Sequence, residues 1–164
     1  MKIILGIDPG LVKTGWGIIS VRGSELRFIG CGTIKPDTSL PLAERLRVLN
    51  QSLRTVIQEH APTEAAIEET FVTANGASTL KLGQARGALL LTLAQENLPV
   101  SEYAATLVKK TVTGVGRAEK SQMGMMVKTL LPQAKDLLQT AGEDALDALA
   151  VAICHSHTNV KIAV

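Results

Sequence analysis

Three stretches with strand character stand in front of the first helical one, and that order admits few architectures. Lys2 to Ile7 is rich in isoleucine and reads as a buried strand. Asp8-Pro9-Gly10 ends it in a turn, because proline presets φ and glycine tolerates positive φ. Thr14 to Val21 reads as a second strand, Arg22-Gly23-Ser24 as a turn, and Leu26 to Ile34 as a third strand. The opening is thus an antiparallel meander. Leu42 to His60 then shifts to helical spacing, with apolar residues at 46, 49, 53, 56 and 57, and Ala61-Pro62 stops it.

Glu64 to Glu69 is a short strand with an apolar middle, and Phe71 to Ala77 a polar loop. Ser78 to Leu98 is a long helix ahead of Pro99, and Val100 to Ala104 a fifth strand. Helical patterns follow at about 105 to 113, 118 to 131 and 142 to 157, the first two separated by a glycine-containing loop, Thr113 to Arg117. This order predicts an α/β domain, a five-stranded mixed sheet flanked by helices. It is the strand order of the ribonuclease H-like fold, which by itself says little about function.

The 164 residues fit one domain, predicted over 1–158 with a short tail at 159–164. Aromatic residues are only Trp16, Phe28, Phe71 and Tyr103, so the core must be built from Leu, Ile, Val and Ala. A net charge of +2 neither demands nor excludes nucleic acid. Cys31 and Cys154 lack metal-ligand spacing and suit two buried thiols in a reducing cytosol. The N-terminus does not read as a signal peptide, and the apolar run Ala88 to Leu91 is too short to cross a bilayer.

The chemistry is carried by acids. Asp8 stands where the first strand runs into its turn, a place an aspartate also takes for the turn alone. Glu68 ends another buried strand, where open sheets of this kind bind ligands. Alternation puts Glu69 on the opposite face, so only one of the two can look into the crevice. In the last helix Leu146, Leu149, Ala150 and Ile153 form an apolar stripe, and Asp144 and Asp147 lie outside it as neighbours on one face. A helix N-terminus explains Asp144, and equally Glu143, better than it explains Asp147. Together the four carboxylates can converge on one point. Such a cluster repels itself unless a cation offsets it, and oxygen donors suit Mg²⁺ or Mn²⁺ rather than zinc. Two such ions can bracket a scissile phosphate.

Several stretches resemble one family. Ile7-Asp8-Pro9-Gly10, Ala66-Ile67-Glu68, Lys81-Leu82-Gly83-Gln84-Ala85-Arg86-Gly87, Gly114-Val115-Gly116, Ala118-Glu119-Lys120-Ser121-Gln122 and Asp144-Ala145-Leu146-Asp147-Ala148-Leu149-Ala150 are similar to the RuvC crossover junction endodeoxyribonucleases. The likeness runs from Met1 to about His157, in the family's order and spacing. It implies a homodimer of ribonuclease H-like fold that cuts two opposing strands of a four-way (Holliday) DNA junction symmetrically with Mg²⁺. It also implies work with the RuvA and RuvB branch-migration proteins in recombination and repair. The family's catalytic acids fall on Asp8, Glu68, Asp144 and Asp147, its two lysines near the cut on Lys109 and Lys120, and its base-stacking aromatic on Phe71.

The residues alone support part of this. Lys120 starts a helix after a glycine-rich loop, a setting that attracts phosphate, though a solvated lysine reads the same way. Lys109-Lys110 could be a wet helix face. Phe71, a lone aromatic in a polar loop, is either a plug over the core or a platform for a base. Gly83-x-x-x-Gly87 lets two helices approach closely and makes the long helix a candidate dimer face, although packing against its own sheet is an equally natural reading. His155 and His157, two apart on a helix, do not face each other; they read as dipole partners and not as a zinc site. Two rival readings stand beside the resolvase. Asp8-Pro9-Gly10 with Thr14-Gly15 also resembles the phosphate hairpin of actin-like ATPases, which need a second such domain. A catalytically silent scaffold would keep the fold without intact acids.

Overall fold

Strand β1 (Lys2–Asp8) runs through the middle of a single five-stranded sheet of order β3-β2-β1-β4-β5. This architecture comes from a computed structural model that describes residues 1–70 and 74–158. The meander is present: β2 (Thr14–Arg22) pairs antiparallel with β1, and β3 (Glu25–Ile34) antiparallel with β2. Strand β4 (Glu64–Glu68) returns parallel to β1, and β5 (Val100–Tyr103) parallel to β4. The expected ribonuclease H-like mixed sheet is therefore the one formed.

Helices cover both faces, as the alternation of strand side chains requires. Leu5, Ile7, Ala65 and Ile67 point to one side and pack with α1 (Leu42–His60) and α2 (Gly76–Gln95). Ile4 and Ala66 point to the other, toward α3 (Ala105–Thr113), α4 (Lys120–Leu130), α5 (Lys135–Ala141) and α6 (Glu143–His157). Asp8 and Glu68 continue the second alternation and so belong to the α6 side of the sheet.

Helix α6 lies on β1 and β2 over a trough of small residues. The register pairs Gly6 with Gly17 and Asp8 with Gly15. A Cβ on Gly6 would sit 2.1 Å from the Ala148 carbonyl oxygen, one on Gly17 2.6 Å from Leu149 Cγ, and one on Gly15 1.9 Å from the Asp144 carbonyl oxygen. Only glycine lets the helix backbone come this close to the strands.

Three details depart from the sequence reading. Helix α2 begins at Gly76, where the Asn75 side chain accepts from the Ser78 N–H at 3.1 Å, and it stops at Gln95, short of Leu98. The stretch between α4 and α6, given no element from sequence, holds a 3₁₀ turn (Pro132–Ala134) and α5, both too short to show a hydrophobic period. Helix α6 has no single stripe: Ala145 and Ala148 to Cys154 are all buried, because sheet lies on one side and α3, α4 and α5 on the other. Cys154 is buried and Cys31 half-buried, and both are free thiols. No helix among the described residues is long and apolar enough to cross a membrane.

Candidate active site

The site is assembled at the C-terminal ends of two adjacent parallel strands. Ile7 pairs with Ile67, and one residue later Asp8 and Glu68 each leave their strands side by side. After Asp8 the chain must turn at once. Thr14, fully buried, closes that turn: its hydroxyl donates to the Gly10 carbonyl at 2.6 Å and accepts from the Gly10 N–H at 3.2 Å. Glu68 is held by its backbone. Arg86 of α2 donates to the Glu68 carbonyl at 3.3 Å and forms an ion pair with Glu102, and the neighbouring Glu69 N–H donates to the Tyr103 carbonyl at 2.8 Å. Glu68 is half-buried and Glu69 exposed, so Glu68 is the one that faces inward.

Asp144 and Asp147 come down from the first two turns of α6, over the Gly15 seat. The electrostatics report the convergence. Burial first, then the charges of Glu68, Asp147 and Asp144, push the Asp8 carboxyl up from 3.8 to about 8, against the pull of Lys120. Burial and Asp147 push Glu68 from 4.5 to about 6, against Lys109. Burial also raises Asp147, with Asp144 and Glu143 adding to it and Lys120 and Lys109 opposing. Acids shifted upward by burial and by one another mark a site that favours a cation or a proton.

Glu143, the rival to Asp144, is turned elsewhere. It is exposed, and its carboxylate accepts from Lys120 Nζ at 2.8 Å, which lowers its proton affinity. Asp144, unlike Glu143, is among the charges that raise Asp8. Lys120 opens α4 as expected, held there by a capping box in which Glu119 and Gln122 exchange side-chain bonds with each other's backbone N–H. Lys109 and Lys120 line one cavity of about 190 Å³ together with Glu68 and Asp147. Phe71 lies outside the described residues.

The donor set fits a hard divalent ion, being all carboxylate oxygen with neither histidine nor cysteine beside it. Among the described residues no three acidic, histidine or cysteine side chains form a ready cage.

Some contributors were not singled out from sequence. Gly6 and Gly17 seat α6, and Arg86 fixes the end of β4; glycines spaced two apart in a strand pattern were the available signal for the trough. His155 is more than a dipole partner. It lies in the last turn of α6 but is nearly buried, with Nδ1 2.6 Å from the Tyr103 hydroxyl and Nε2 2.9 Å from Glu64 Oε2.

Known proteins match along most of the chain. The family described as crossover junction endodeoxyribonuclease RuvC matches residues 4–155. Crossover junction endodeoxyribonuclease RuvC of Paramagnetospirillum magneticum is 61% identical over 154 residues, covering 94% of this chain and 90% of the relative. The Xanthobacter autotrophicus protein of the same name is 58% identical over 154 residues, covering 94% of this chain and 89% of its own length. Among solved structures, T. thermophilus RuvC in complex with Holliday junction substrate superposes with a TM-score of 0.85 at 29% identity, covering 95% of this chain and 93% of the other. A yeast mitochondrial Holliday junction resolvase, at TM-score 0.68 and 12% identity over 92% of this chain and 77% of its own, shares the fold.

Proposed function

The chain belongs to the RuvC family of crossover junction endodeoxyribonucleases, and from that premise we propose that it resolves four-way DNA junctions with Asp8, Glu68, Asp144 and Asp147 as its catalytic acids. The observation that carries the assignment is that Asp8, half-buried at the C-terminal end of β1, lies close enough to Glu68, Asp147 and Asp144 for their charges to raise its carboxyl. A solvated strand end or a helix dipole partner would not be half-buried among like charges.

Members of this family are metal-dependent nucleases, and Mg²⁺, with Mn²⁺ as a substitute, is the ion we assign. When bound, such an ion supplies an activated water and stabilises the charge on the leaving oxygen. The chain's own residues do the rest. Asp8 and Glu68 present oxygens from two strands whose register fixes their spacing, and Asp144 and Asp147 close the set from α6. Asp8 must give up its proton to serve as a ligand. Lys120 brings positive charge to the phosphate from the mouth of the site, and Lys109 lines the wall beside Glu68. Phe71 keeps the base-stacking role that the family match implies.

Symmetric cutting needs two sites, so we assign a homodimer. The outer face of α2 supports it: Leu80 is 64% and Leu91 58% exposed, and between them a Cβ on Gly83 or Gly87 would meet nothing within 4 Å. A flat stripe of this kind lets a second copy approach closely. The reading also brings RuvA and RuvB as expected partners, and the cytosol as the place of work. The test is a synthetic four-way junction with and without Mg²⁺, with the products mapped. Paired, ligatable nicks in the metal alone are expected. Junction binding with no cutting in Mg²⁺ would favour the silent scaffold.

A further inference from the structure

The cations assigned so far stand on one side of the acids: Lys109 and Lys120 line the cavity beside Glu68 and Asp147. The same edge of the sheet carries two more on the other side. Asp8 pairs with Gly15, and Thr14 with Ile34. Lys13 precedes Thr14 and Lys35 follows Ile34, so the two lysines stand opposite one another where β2 begins and β3 ends. Both are exposed, and neither has an ion pair among the described residues. Asp37, the acid nearest Lys35 in sequence, accepts from the Ser39 N–H at 2.9 Å instead. Like charges facing each other across strand ends repel, and an anion between them removes the repulsion.

We propose that Lys13 and Lys35 hold the backbone of the cut strand on the side of the scissile phosphate away from Lys109 and Lys120. The proposal rests on the nuclease reading above. The order along the edge is Lys35, Lys13, Asp8, Glu68, with Lys109 and Lys120 beyond, so basic groups flank the acids on both sides. The turn that carries Lys13 is fixed before any ligand arrives. Buried Thr14 ties it to Gly10 at 2.6 Å, and Arg45 of α1 donates to the Leu11 carbonyl at 3.0 Å. Lys13 also stands near the mouth of the site: after Lys120, which leads, it helps to draw the Glu143 carboxyl down. Neighbouring strands lie about 4.8 Å apart, which puts the strand of Lys35 about 10 Å from that of Asp8. A nucleic-acid strand carries one phosphate per about 3.4 Å of axis, so the pair meets phosphates within about three nucleotides of the cut. A strand held on both sides keeps the phosphate between them over the acids, and the lysines serve the chemistry by position.

The experiment uses the full chain and four-way junctions carrying one uncharged methylphosphonate at each position near the mapped cut. Affinity is read in chelator and cutting in Mg²⁺. The parent is expected to lose roughly two- to tenfold in affinity at one or two positions on one side of the cut. Lys13→Ala and Lys35→Ala are expected to bind the unmodified junction weaker by a similar factor and to ignore those same positions, whereas Lys120→Ala ignores positions on the other side. Each should also flatten the slope of log affinity against log salt by about 0.7–0.9, and Lys13→Arg should restore it. The idea is overturned if both alanine variants bind like the parent, or if their masked positions fall on the same side as those of Lys120→Ala. Losses from lysine and methylphosphonate that multiply instead of masking each other overturn it too. A parent that binds without cutting sinks the nuclease reading, while masking in the affinity map still judges the two lysines.

Discussion

His155 Nε2 lies 2.9 Å from Glu64 Oε2, at the opposite end of the two elements that carry the acids. Glu64 opens β4 and Glu68 closes it; His155 stands in the last turn of α6 and Asp144 in the first. This contact, extended to Tyr103 and to Lys2 at 3.0 Å, ties helix to strand at the far side from the site. Burial alone would raise Glu64, but the bonds from His155 and Lys2 outweigh it and hold the carboxylate below its ordinary 4.5. Its contribution to stability is therefore full above about 4.5 and is lost as pH falls through the lower folded value. Glu64→Gln should cost about 1–3 kcal/mol at neutral pH and flatten the acid limb of the stability curve. Chemical denaturation at pH 7 and below 4 checks this, and an unchanged acid limb counts against it.

Asp8→Asn separates chemistry from stability. Cutting should fall below detection while junction affinity stays near that of the parent. The same change should stabilise the metal-free chain. Asp8 takes up a proton on folding between 3.8 and about 8, so stability falls as pH rises through that window. Removing the charge should recover on the order of 1–3 kcal/mol at pH 8. Melting curves in chelator at pH 5 and pH 8 test it: the parent should lose more stability at the higher pH than the variant, in which only the raised Glu68 and Asp147 still lose protons.

How far the site could be read in sequence depends on range. Asp8, Glu68 and the Asp144/Asp147 pair stood out because each sits at a punctuation mark, a strand end or a helix start, where local pattern has meaning. The meander and all five strands were legible for the same reason. The competition between Asp144 and Glu143 was not, since both are equally good first-turn acids. Lys120, distant in sequence, engages Glu143, and that contact is the ground on which we assign the role to Asp144. The buried His155–Glu64 contact was illegible too, because it joins residues whose neighbourhood only the sheet creates.

Lys120→Ala should slow cutting by about 10²–10³ with a smaller loss of affinity, as removal of one preorganised charge does elsewhere. Glu143→Gln is the informative companion. It frees Lys120 from its partner without touching the acids, so cutting should persist or rise. Single-turnover rates with saturating enzyme would check both, and a Glu143→Gln chain as inactive as Asp8→Asn would return Glu143 to the metal set.

Gly15→Ala tests the seat of α6. The added Cβ meets backbone at 1.9 Å, which no side-chain rotation relieves. The start of α6 must lift, taking Asp144 and Asp147 with it. Cutting should drop at least about 10²-fold, the scale of a 1 Å misplacement, while junction binding holds. Metal titration should show weakened Mg²⁺ affinity in the same variant.

Gly83→Arg addresses the dimer without disturbing the protomer, since the side chain enters open space. Sedimentation should report a monomer with a parent-like melting temperature in dilute solution. Nicks in one strand should then appear without the matching nick in the other. A dimeric Gly83→Arg chain would move the interface off this face of α2.

The glycine trough also makes the two halves of the proposed ligand set unequal. Asp8 and Glu68 are placed by the register of adjacent strands, whereas Asp144 and Asp147 reach them only when α6 is seated on Gly15 and Gly17. Anything that loosens that one helix leaves the strand-end acids where they are and takes their counterparts away.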